Sequence, residues 1–501
     1  MIKLKIALGG NMKKNAFNNE KYLRMQSEKI LERIQQYNNK LYLEFGGKIF
    51  DDYHASRILP GFEIDTKVKM LCKIKEQVEI LIVINANHIQ SSKIRADIGI
   101  TYENEVLRMI ENFERMELYV GSVVITHYEG QVAAKSFRTK LMNMNIKVYL
   151  HYTIQGYPTN IDKIIGEEGF GKNDYVETTK SLVVVTAPGP CSGKMATCLS
   201  QLYHENKRGV LAVYAKYETF PIWNLPLRHP VNLAYESATA DLNDVNMIDP
   251  FHLEAYNTLT VNYNRDVEVF PVLQAVFNKI YGYSPYKSPT DMGVNMAGFC
   301  IEDEEMVVSA CKQEIIRRYL DALVDLKNGK NGEEVSEKIA LIMNHLNISI
   351  SDRKVVKAAL EKEEISKVPS IAIELSDGVI VTGKTTPLLD ASAAAILNAI
   401  KHFSQLKKEV LLISPNVIEP IQDLKEHLLS ENKLRLNAEE ILISLAITAT
   451  TNPVADLALR KLPLLKGAQA HSTVMLSYSD KNVFKKLSID VTCEAVNSSL
   501  K

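Results

Sequence analysis

The chain has 501 residues, of which 46% are hydrophobic and 24% are charged, as in ordinary globular proteins of about two to four domains. Its 59 Lys and Arg residues balance 60 Asp and Glu residues, so no overall basic field indicates a nucleic-acid partner. No apolar run reaches the roughly 18 residues that a membrane span needs, so no membrane partner is expected.

The cysteines and the N-terminus indicate a cytoplasmic protein. The six cysteines are scattered and form no C-x-x-C pair, which predicts reduced thiols rather than disulfides or a zinc site. The basic N-terminus lacks the apolar core and cleavage site of a signal peptide. The stretch "ALGGNM" (7–12) can be encoded with a ribosome-binding sequence before an ATG codon. We therefore expect translation to start at Met12, with residues 1–16 as a mis-annotated leader and N-terminal extension.

From residue 40 to 216, short apolar runs alternate with segments of helical periodicity. Helices are predicted near 66–76, 103–117 and 131–144. The predicted strands are "KLYLEF" (40–45), "VEILIVINA" (78–86), "LYVGSVVIT" (118–126), "KVYLHY" (147–152), "SLVVVTA" (181–187) and "VLAVYA" (210–215). Strands and helices that alternate in this way predict an α/β fold with a doubly wound, mostly parallel sheet. Such sheets bind ligands beyond the carboxyl ends of their strands.

The next segment, 217–300, is rich in prolines and polar turns, and we expect an irregular lid or binding segment there. Residues 303–327 and 333–363 are charged and have helical periodicity, which predicts a helical subdomain.

The C-terminal part predicts a smaller α/β domain. Asp377-Gly378 between two β-branched runs is typical of a hairpin. Helices are expected at 389–405 and 437–461, and strands near 409–414 and 472–477. The predicted domains are an α/β Rossmann-like domain (17–225), a lid with the helical subdomain (226–368) and the C-terminal domain (369–501).

Two stretches resemble the phosphate-binding pattern G-x-x-x-x-G-K-[ST], which requires a loop between a strand and a helix. Residues 378–385, "GVIVTGKT", match it letter for letter. Their four variable positions are all β-branched, however, which disfavours the loop conformations that turn N–H groups toward phosphate. We interpret this stretch as the second hairpin strand and a surface turn.

The second stretch, "PGPCSGK" (188–194), has the expected surroundings, a strand before it and a helical pattern after it. Its amides can form an anion-binding nest with a lysine beside it. The predicted phosphate-binding residues of this degenerate P-loop are Gly189, Cys191, Ser192, Gly193, Lys194 and Met195. We expect Lys194 to point into solvent when no ligand is bound.

This loop departs from the nucleotide-binding pattern in three respects. Its spacing is one residue short, and Pro188 and Pro190 provide no N–H donors. Met195 stands where a Mg²⁺-binding hydroxyl is required, leaving Ser192 or Thr197 as weak substitutes. No strand ends in a Walker-B aspartate. ATP or GTP with Mg²⁺ is therefore one cofactor option among several.

Polar residues also follow the other predicted strands, where a doubly wound sheet binds its ligand. A polar strand end is usually only a turn, but several around one crevice are more indicative of a site. These crevice candidates are Glu44, Gly46, Gly47, Asn85, Asn87, His88, Thr126, His127, Lys216 and Glu218.

Metal and thiol chemistry have weaker support. His204-Glu205 has no second histidine at zinc-protease spacing. His229, Glu236, Asp249 and His252 lie in one segment and could converge on a metal, although capping roles are more common. Cys191 lies at a helix N-terminus, but Thr197 stands where a phosphatase-type C-x₅-R requires arginine, so we interpret it as an ordinary loop residue.

From about Phe17 onward, the chain resembles a bacterial family catalogued as a conserved domain of unknown function. The resemblance rests on "LYLEFGGK", "VVTAPGPCSGK", "HPVNLAYESATADLNDVNMIDPFHL", "SPTDMGVNM", "ITATTNP" and "AHST". It implies the three-part architecture above and no particular reaction. Some members carry the label ATP-dependent zinc protease, which the residues do not support. Family loops have glycine where this chain has Cys191, which implies a less permissive loop here.

These observations predict binding of a nucleotide or another phosphorylated small molecule, with phosphoryl transfer or hydrolysis as the reaction if the protein is an enzyme. The alternative is a non-catalytic ligand-sensing or scaffold protein with an anion-binding loop. Catalytic residues, a metal requirement and a homo-oligomeric state are left open by the sequence.

Overall fold

The structure, a computed structural model, describes residues 15–36, 40–95, 98–429 and 433–497. The expected start at Met12 lies outside these residues. The chain divides into two compact units, the first ending at Cys311 and the second beginning at Lys312. The domain limits at 225 and 368 remain predictions.

The first unit contains a seven-stranded, all-parallel sheet in the order β11-β8-β1-β7-β2-β5-β6. Two short antiparallel pairs, β3–β4 and β9–β10, lie outside it. The strands are β1 (Leu41–Phe45), β2 (Val78–Asn85), β3 (Ile94–Arg95), β4 (Ile100–Thr101), β5 (Tyr119–Tyr128), β6 (Lys147–Tyr152), β7 (Leu182–Thr186), β8 (Val213–Tyr217), β9 (Asn246–Ile248), β10 (Val261–Tyr263) and β11 (Gly293–Val294).

Helices cover both faces of this sheet, because its central strands are apolar on both sides. Leu43 and Ile82 pack in one core with α1, α3, α5 and α6, whereas Tyr42 and Val183 pack in a second core with α8 and α11. The helices are α1 (Asn19–Gln36), α2 (Tyr53–Ile58), α3 (Thr66–Lys73), α4 (Ala86–Gln90), α5 (Tyr102–Arg115), α6 (Val132–Asn143), α7 (Ile161–Ile164), α8 (Lys194–Lys207), α9 (Pro230–Ala238), α10 (Pro250–Tyr256), α11 (Asn264–Tyr281) and α12 (Pro289–Met292). The next helix, α13 (Glu304–Lys327), begins in the first unit and ends in the second. The predicted doubly wound fold is confirmed.

The expectation of an irregular segment at 217–300 is wrong. Four helices and the edge strand β11 lie there, and the segment belongs to the first unit. Pro230, Pro250 and Pro289 each lie at the start of a helix. Proline is tolerated there because the first helical N–H groups have no intrahelical acceptor. The prolines that suggested irregular loops therefore begin helices.

The second unit has a four-stranded mixed sheet in the order β13-β12-β14-β15, so the smaller C-terminal α/β domain is confirmed. Its helices include two charged ones that the sequence predicted as a single segment, 333–363. The elements are α14 (Glu333–His345), α15 (Lys354–Ser366), β12 (Ser370–Glu374), β13 (Ile380–Lys384), α16 (Ala391–Phe403), α17 (Pro415–His427), α18 (Ala438–Ala449), α19 (Pro453–Leu459), β14 (Gln469–Ser472), α20 (Tyr478–Lys486) and β15 (Asp490–Cys493).

The hairpin prediction is confirmed, because β12 and β13 are antiparallel and Gly378 has a φ of 82° in the turn between them. Residues 378–385, which match the phosphate-binding pattern at every position, therefore lie mostly in strand β13. The strand predicted at 409–414 is wrong, since those residues form no strand and lead into α17. The strand predicted at 472–477 lies earlier, at Gln469–Ser472. Across the described part of the chain, no helix combines the length and apolar character that crossing a membrane requires.

Candidate functional site

The strand order places the loop 187–193 at a topological switch point of the sheet. The chain leaving β7 continues through α8 to β8 on one side of the sheet, whereas the chain leaving β2 continues to β5 on the other. Adjacent strands whose connections diverge form a topological switch point, and ligands of α/β sheets bind there. The loop 187–193 follows β7 at this point.

Side chains from neighbouring strands hold the loop through its carbonyl groups. Thr126 Oγ1 donates a hydrogen bond to the carbonyl of Ser192 at 2.6 Å. Asn85 Nδ2 donates to the carbonyl of Cys191 at 3.2 Å, and Ser192 Oγ donates to that of Gly189 at 2.7 Å. None of the hydrogen bonds recorded for the described residues is donated by the backbone amide of Cys191 or Gly193. The carbonyl groups of Gly189, Cys191 and Ser192 are therefore hydrogen-bonded within the protein, whereas the amides of Cys191 and Gly193 are not.

The loop requires residues without side chains at two positions. A Cβ at Gly189 would lie 2.2 Å from the hydroxyl oxygen of Tyr102, and one at Gly193 would lie 3.1 Å from Thr126. Gly193 also has a φ of 91°. Cys191 is exposed and has a φ of 58°, a left-handed conformation that glycine adopts without strain. A glycine at position 191 would therefore fit this backbone conformation without strain.

Lys194 is the first residue of α8, and its position corrects the expectation that it points into solvent. Its side chain is 16% exposed, and its Nζ lies 3.8 Å from Oε1 of Glu44. Glu44 accepts a hydrogen bond from the Tyr214 hydroxyl at 2.8 Å. The lysine is therefore mostly buried, next to the carboxylate at the end of β1.

The hydroxyls suggested as Mg²⁺ ligands are engaged within the loop. Thr197 Oγ1 donates to the carbonyl of Gly193 at 3.0 Å, and Ser192 Oγ bonds to Gly189 as described above. Met195 packs against the apolar core beneath α8. The hydroxyl groups of Ser192 and Thr197 are therefore not available to a Mg²⁺ ion. The polar groups left at the loop are amide N–H groups and the ammonium group of Lys194.

A second group of charged residues lies at the end of β8, two strands away from the strand that precedes the loop. Lys216 and Glu218 were predicted from the sequence, and the structure adds Asp266 from the first turn of α11 and Tyr263 just before it. We call these four residues the Lys216 cluster. The Lys216 Nζ lies 2.8 Å from Glu218 Oε1 and also forms an ion pair with Asp266. The Tyr263 hydroxyl donates to Glu218 Oε1 at 3.0 Å.

Electrostatics in the Lys216 cluster keep its lysine charged and make its glutamate easy to protonate. Burial raises the pKa of the Glu218 carboxyl to about 7, and repulsion from Asp266 acts in the same direction. The positive charge of Lys216 lowers this pKa but does not outweigh burial. Burial opposes the charge of Lys216, but the carboxylates of Asp266, Glu218 and Glu44 outweigh it and raise its pKa. A carboxyl group that titrates near neutrality in a crevice is typical of functional sites.

This shift predicts a pH effect on stability that Glu218→Gln should remove. The pKa of Glu218 is raised on folding, so the folded chain keeps a proton that the unfolded chain has already lost. Wild-type stability should therefore fall as pH rises from about 5 to about 7, and the glutamine variant should lack that part of the decline. Urea denaturation of both proteins across this range measures the difference, and parallel profiles would contradict the assignment.

Gly46 and Gly47 shape the turn that follows β1. The Gly46 amide donates to the carbonyl of Tyr217 at 3.0 Å, and a Cβ at Gly46 would lie 2.9 Å from that oxygen. Gly47 has a φ of 66°. Lys67, which the sequence analysis missed, lies nearby and forms a buried ion pair with Asp52 at 2.8 Å. These glycines permit the close approach of two backbones, which is a structural role.

The remaining candidates lie on the opposite side of the loop, near the ends of β2 and β5. Asn87 Oδ1 accepts a hydrogen bond from Gln131 at 2.9 Å, and the His127 ring lies 3.3 Å from Thr126 Oγ1. Burial, with the charges of Lys93 and His127, lowers the pKa of His88 to about 4, and burial also lowers the pKa of His127. Both histidines are therefore uncharged at neutral pH and contribute no cation to the crevice.

The four residues considered for a metal have separate partners. His229 lies 3.3 Å from Glu304, and Glu236 accepts from Asn246 at 3.1 Å. Asp249 accepts from Thr290, and His252 lies 2.8 Å from Ser288. In the described ranges, no group of three or more His, Cys, Asp or Glu residues is arranged to hold a metal ion.

Comparison with known proteins gives a family for nearly the whole chain. The family model described as domain of unknown function DUF1846, N-terminal, matches residues 15–347, and its C-terminal counterpart matches residues 351–501. The chain is 58% identical over 482 residues to UPF0371 proteins of Streptococcus pneumoniae serotype 19F and serotype 2, covering 96% of this chain and 97% of each relative. These matches confirm the resemblance drawn from the motifs, and none of these names refers to a zinc protease.

Proposed function

The chain belongs to the DUF1846 family, and we propose that it binds a phosphorylated small molecule in the crevice at the carboxyl edge of its parallel sheet. The phosphate group would lie on the loop 189–193 and the first turn of α8. The non-phosphate part of the ligand would extend toward the Lys216 cluster.

One observation carries this proposal: the loop carbonyls are bonded to the protein, whereas the amides of Cys191 and Gly193 are not. These amides precede a helix of 14 residues, whose first N–H groups also have no intrahelical acceptor. Unpaired amides and the positive end of a helix dipole favour an anion. The ammonium group of Lys194 adds a full positive charge at the same place.

The chemistry of the loop favours a phosphate ester over a magnesium nucleotide. In a nucleotide-binding loop, the residue after the lysine supplies a hydroxyl to Mg²⁺, and here that residue is Met195. The nearby hydroxyls of Ser192 and Thr197 are bonded to loop carbonyls. Recognition through amides and a lysine requires no cation bound by the loop.

Titration calorimetry with inorganic phosphate tests the proposal on the full chain. We expect saturable binding that weakens as ionic strength increases, because salt screens the attraction that draws a phosphate anion from solution to a positively charged site. A chain that shows no binding at millimolar phosphate and low salt would refute the phosphate site.

Residues 378–385, which match the phosphate-binding pattern at every position, provide the matched comparison. Lys384 lies at the end of strand β13 in the second unit, far along the chain from α8. We expect Lys384→Ala to leave phosphate affinity unchanged, as measured by the same titration. A loss of affinity in this variant would mean that the hairpin, rather than the loop 189–193, holds the anion.

A further inference from the structure

One oxygen of Glu218 is held by the protein and the other is not. Oε1 accepts the hydrogen bond from Tyr263 and lies 2.8 Å from the Lys216 ammonium group. Among the hydrogen bonds and ion pairs recorded for described residues, none involves Oε2. The side chain is only 8% exposed, yet Oε2 is not one of the fully buried polar atoms that lack a partner, so solvent reaches this oxygen. An accessible carboxylate oxygen whose neighbour is fixed by the protein is open to a hydrogen bond from a ligand.

The unused oxygen lies beside a residue that has no side chain. A Cβ built at Gly293 on β11 would lie 3.5 Å from Oε2, which is an ordinary contact distance. Gly293 has a φ of −73°, a value that any residue adopts, so backbone conformation does not require glycine at this position. The absence of a side chain at 293 leaves space next to Oε2.

A continuous row of charged groups connects Glu218 to the proposed phosphate site. Lys194 lies beside Glu44, and Glu44 is the register partner of Lys216 on the neighbouring strand. Two strand spacings, about 10 Å, separate β7 from β8. A phosphorylated pentose or hexose is long enough to contact both ends of this row.

The groups around Glu218 limit what can bind there. Glu218 interacts electrostatically with Lys216, Asp266, Tyr263 and Tyr235, and Glu44 interacts with Lys216. Only the lysine is a cation, and three groups are carboxyls. A second phosphate would be repelled here, whereas a hydroxyl group can donate a hydrogen bond to a carboxylate or accept one from a carboxylic acid.

We infer that Oε2 of Glu218 binds a hydroxyl group of the ligand, which makes the ligand a hydroxyl-rich phosphate monoester such as a sugar phosphate. This inference rests on the proposed phosphate site. Lys216 and Tyr263 act as positioning residues, because they hold Oε1 and thereby direct Oε2 toward the space beside Gly293. A hydrogen bond to a charged or desolvated carboxyl group supplies the preference for the sugar phosphate over inorganic phosphate.

The test compares inorganic phosphate with ribose 5-phosphate and glucose 6-phosphate on the full chain by titration calorimetry. We expect at least one sugar phosphate to bind about ten- to a hundred-fold more tightly than inorganic phosphate. Glu218→Ala should remove most of that advantage and leave the affinity for inorganic phosphate unchanged. Equal affinities of wild type for all three compounds would overturn this inference but not the phosphate site, whereas absence of phosphate binding would overturn both.

Gly293→Ala provides a second variant that keeps the charged groups in place. Its methyl group would lie against Oε2 without removing Lys216, Glu218 or Tyr263. We expect weaker binding of the sugar phosphate, unchanged binding of inorganic phosphate and an unchanged melting temperature. If sugar-phosphate affinity stays at the wild-type level in both variants, Oε2 does not contact the ligand.

Discussion

Replacement of Lys216 by alanine is expected to destabilise the protein by about 3–5 kcal/mol near pH 8. The ammonium group lies between the carboxylates of Glu218 and Asp266, and all three side chains are at most 16% exposed. Removal of the lysine leaves two buried carboxylates that repel each other. The loss of an ion-pair partner is costly inside a protein because the remaining charge stays desolvated.

The sign of the pH dependence distinguishes this explanation from simple loss of packing. Without Lys216, the carboxyl groups hold protons more strongly in the folded chain than in the unfolded chain. Stability of Lys216→Ala should therefore fall as pH rises, and its deficit relative to wild type should be smaller at pH 5 than at pH 8. Urea denaturation at both pH values measures the two deficits.

Lys69→Ala is the control, because Lys69 also pairs with two carboxylates but is 46% exposed. Surface pairs are worth about 0–1 kcal/mol, so this variant should remain close to wild type. A deficit below about 1 kcal/mol for Lys216→Ala would show that water reaches the Lys216 cluster freely, contrary to the described burial.

Replacement of Lys194 by alanine is expected to weaken binding of inorganic phosphate by about ten- to a hundred-fold. A charge-assisted contact contributes roughly 1.5–3 kcal/mol, and 1.4 kcal/mol corresponds to a factor of ten. Stability should change less than in Lys216→Ala, since Glu44 keeps its hydrogen bond from Tyr214 and its interaction with the Lys216 ammonium group. Calorimetric titration gives the affinity and thermal melts give the stability.

Lys207→Ala is the matched control for this variant. Lys207 lies at the other end of α8 and pairs with Glu167 on the surface, so its removal should leave phosphate affinity unchanged. Equal phosphate affinities of Lys194→Ala and wild type would show that the loop is only a structural turn. A large drop in the melting temperature of Lys194→Ala would instead show that its pair with Glu44 holds the fold.

Much of the fold could be predicted from the sequence because the relevant signals are local. The apolar runs of β1, β2, β5, β6 and β7 and the helices between them follow from hydrophobic periodicity within short windows. The Asp377-Gly378 turn follows from the left-handed conformation that glycine permits. The strand-to-helix loop at 188–194, and the proximity of Asn85, Thr126 and Glu44 to it, follow from the rule that parallel strands end at a common edge.

The sequence by itself therefore determined the doubly wound sheet, the second α/β unit and the position of the loop. Only the tertiary structure decided which groups complete the crevice. Asp266 is 50 positions from Lys216 along the chain and reaches it because the segment predicted to be irregular folds into α11. Lys194 turns inward because Glu44, 150 positions earlier, offers a carboxylate. Such pairings depend on long-range packing and on the energetic cost of leaving a buried charge unpaired, which no short sequence window contains.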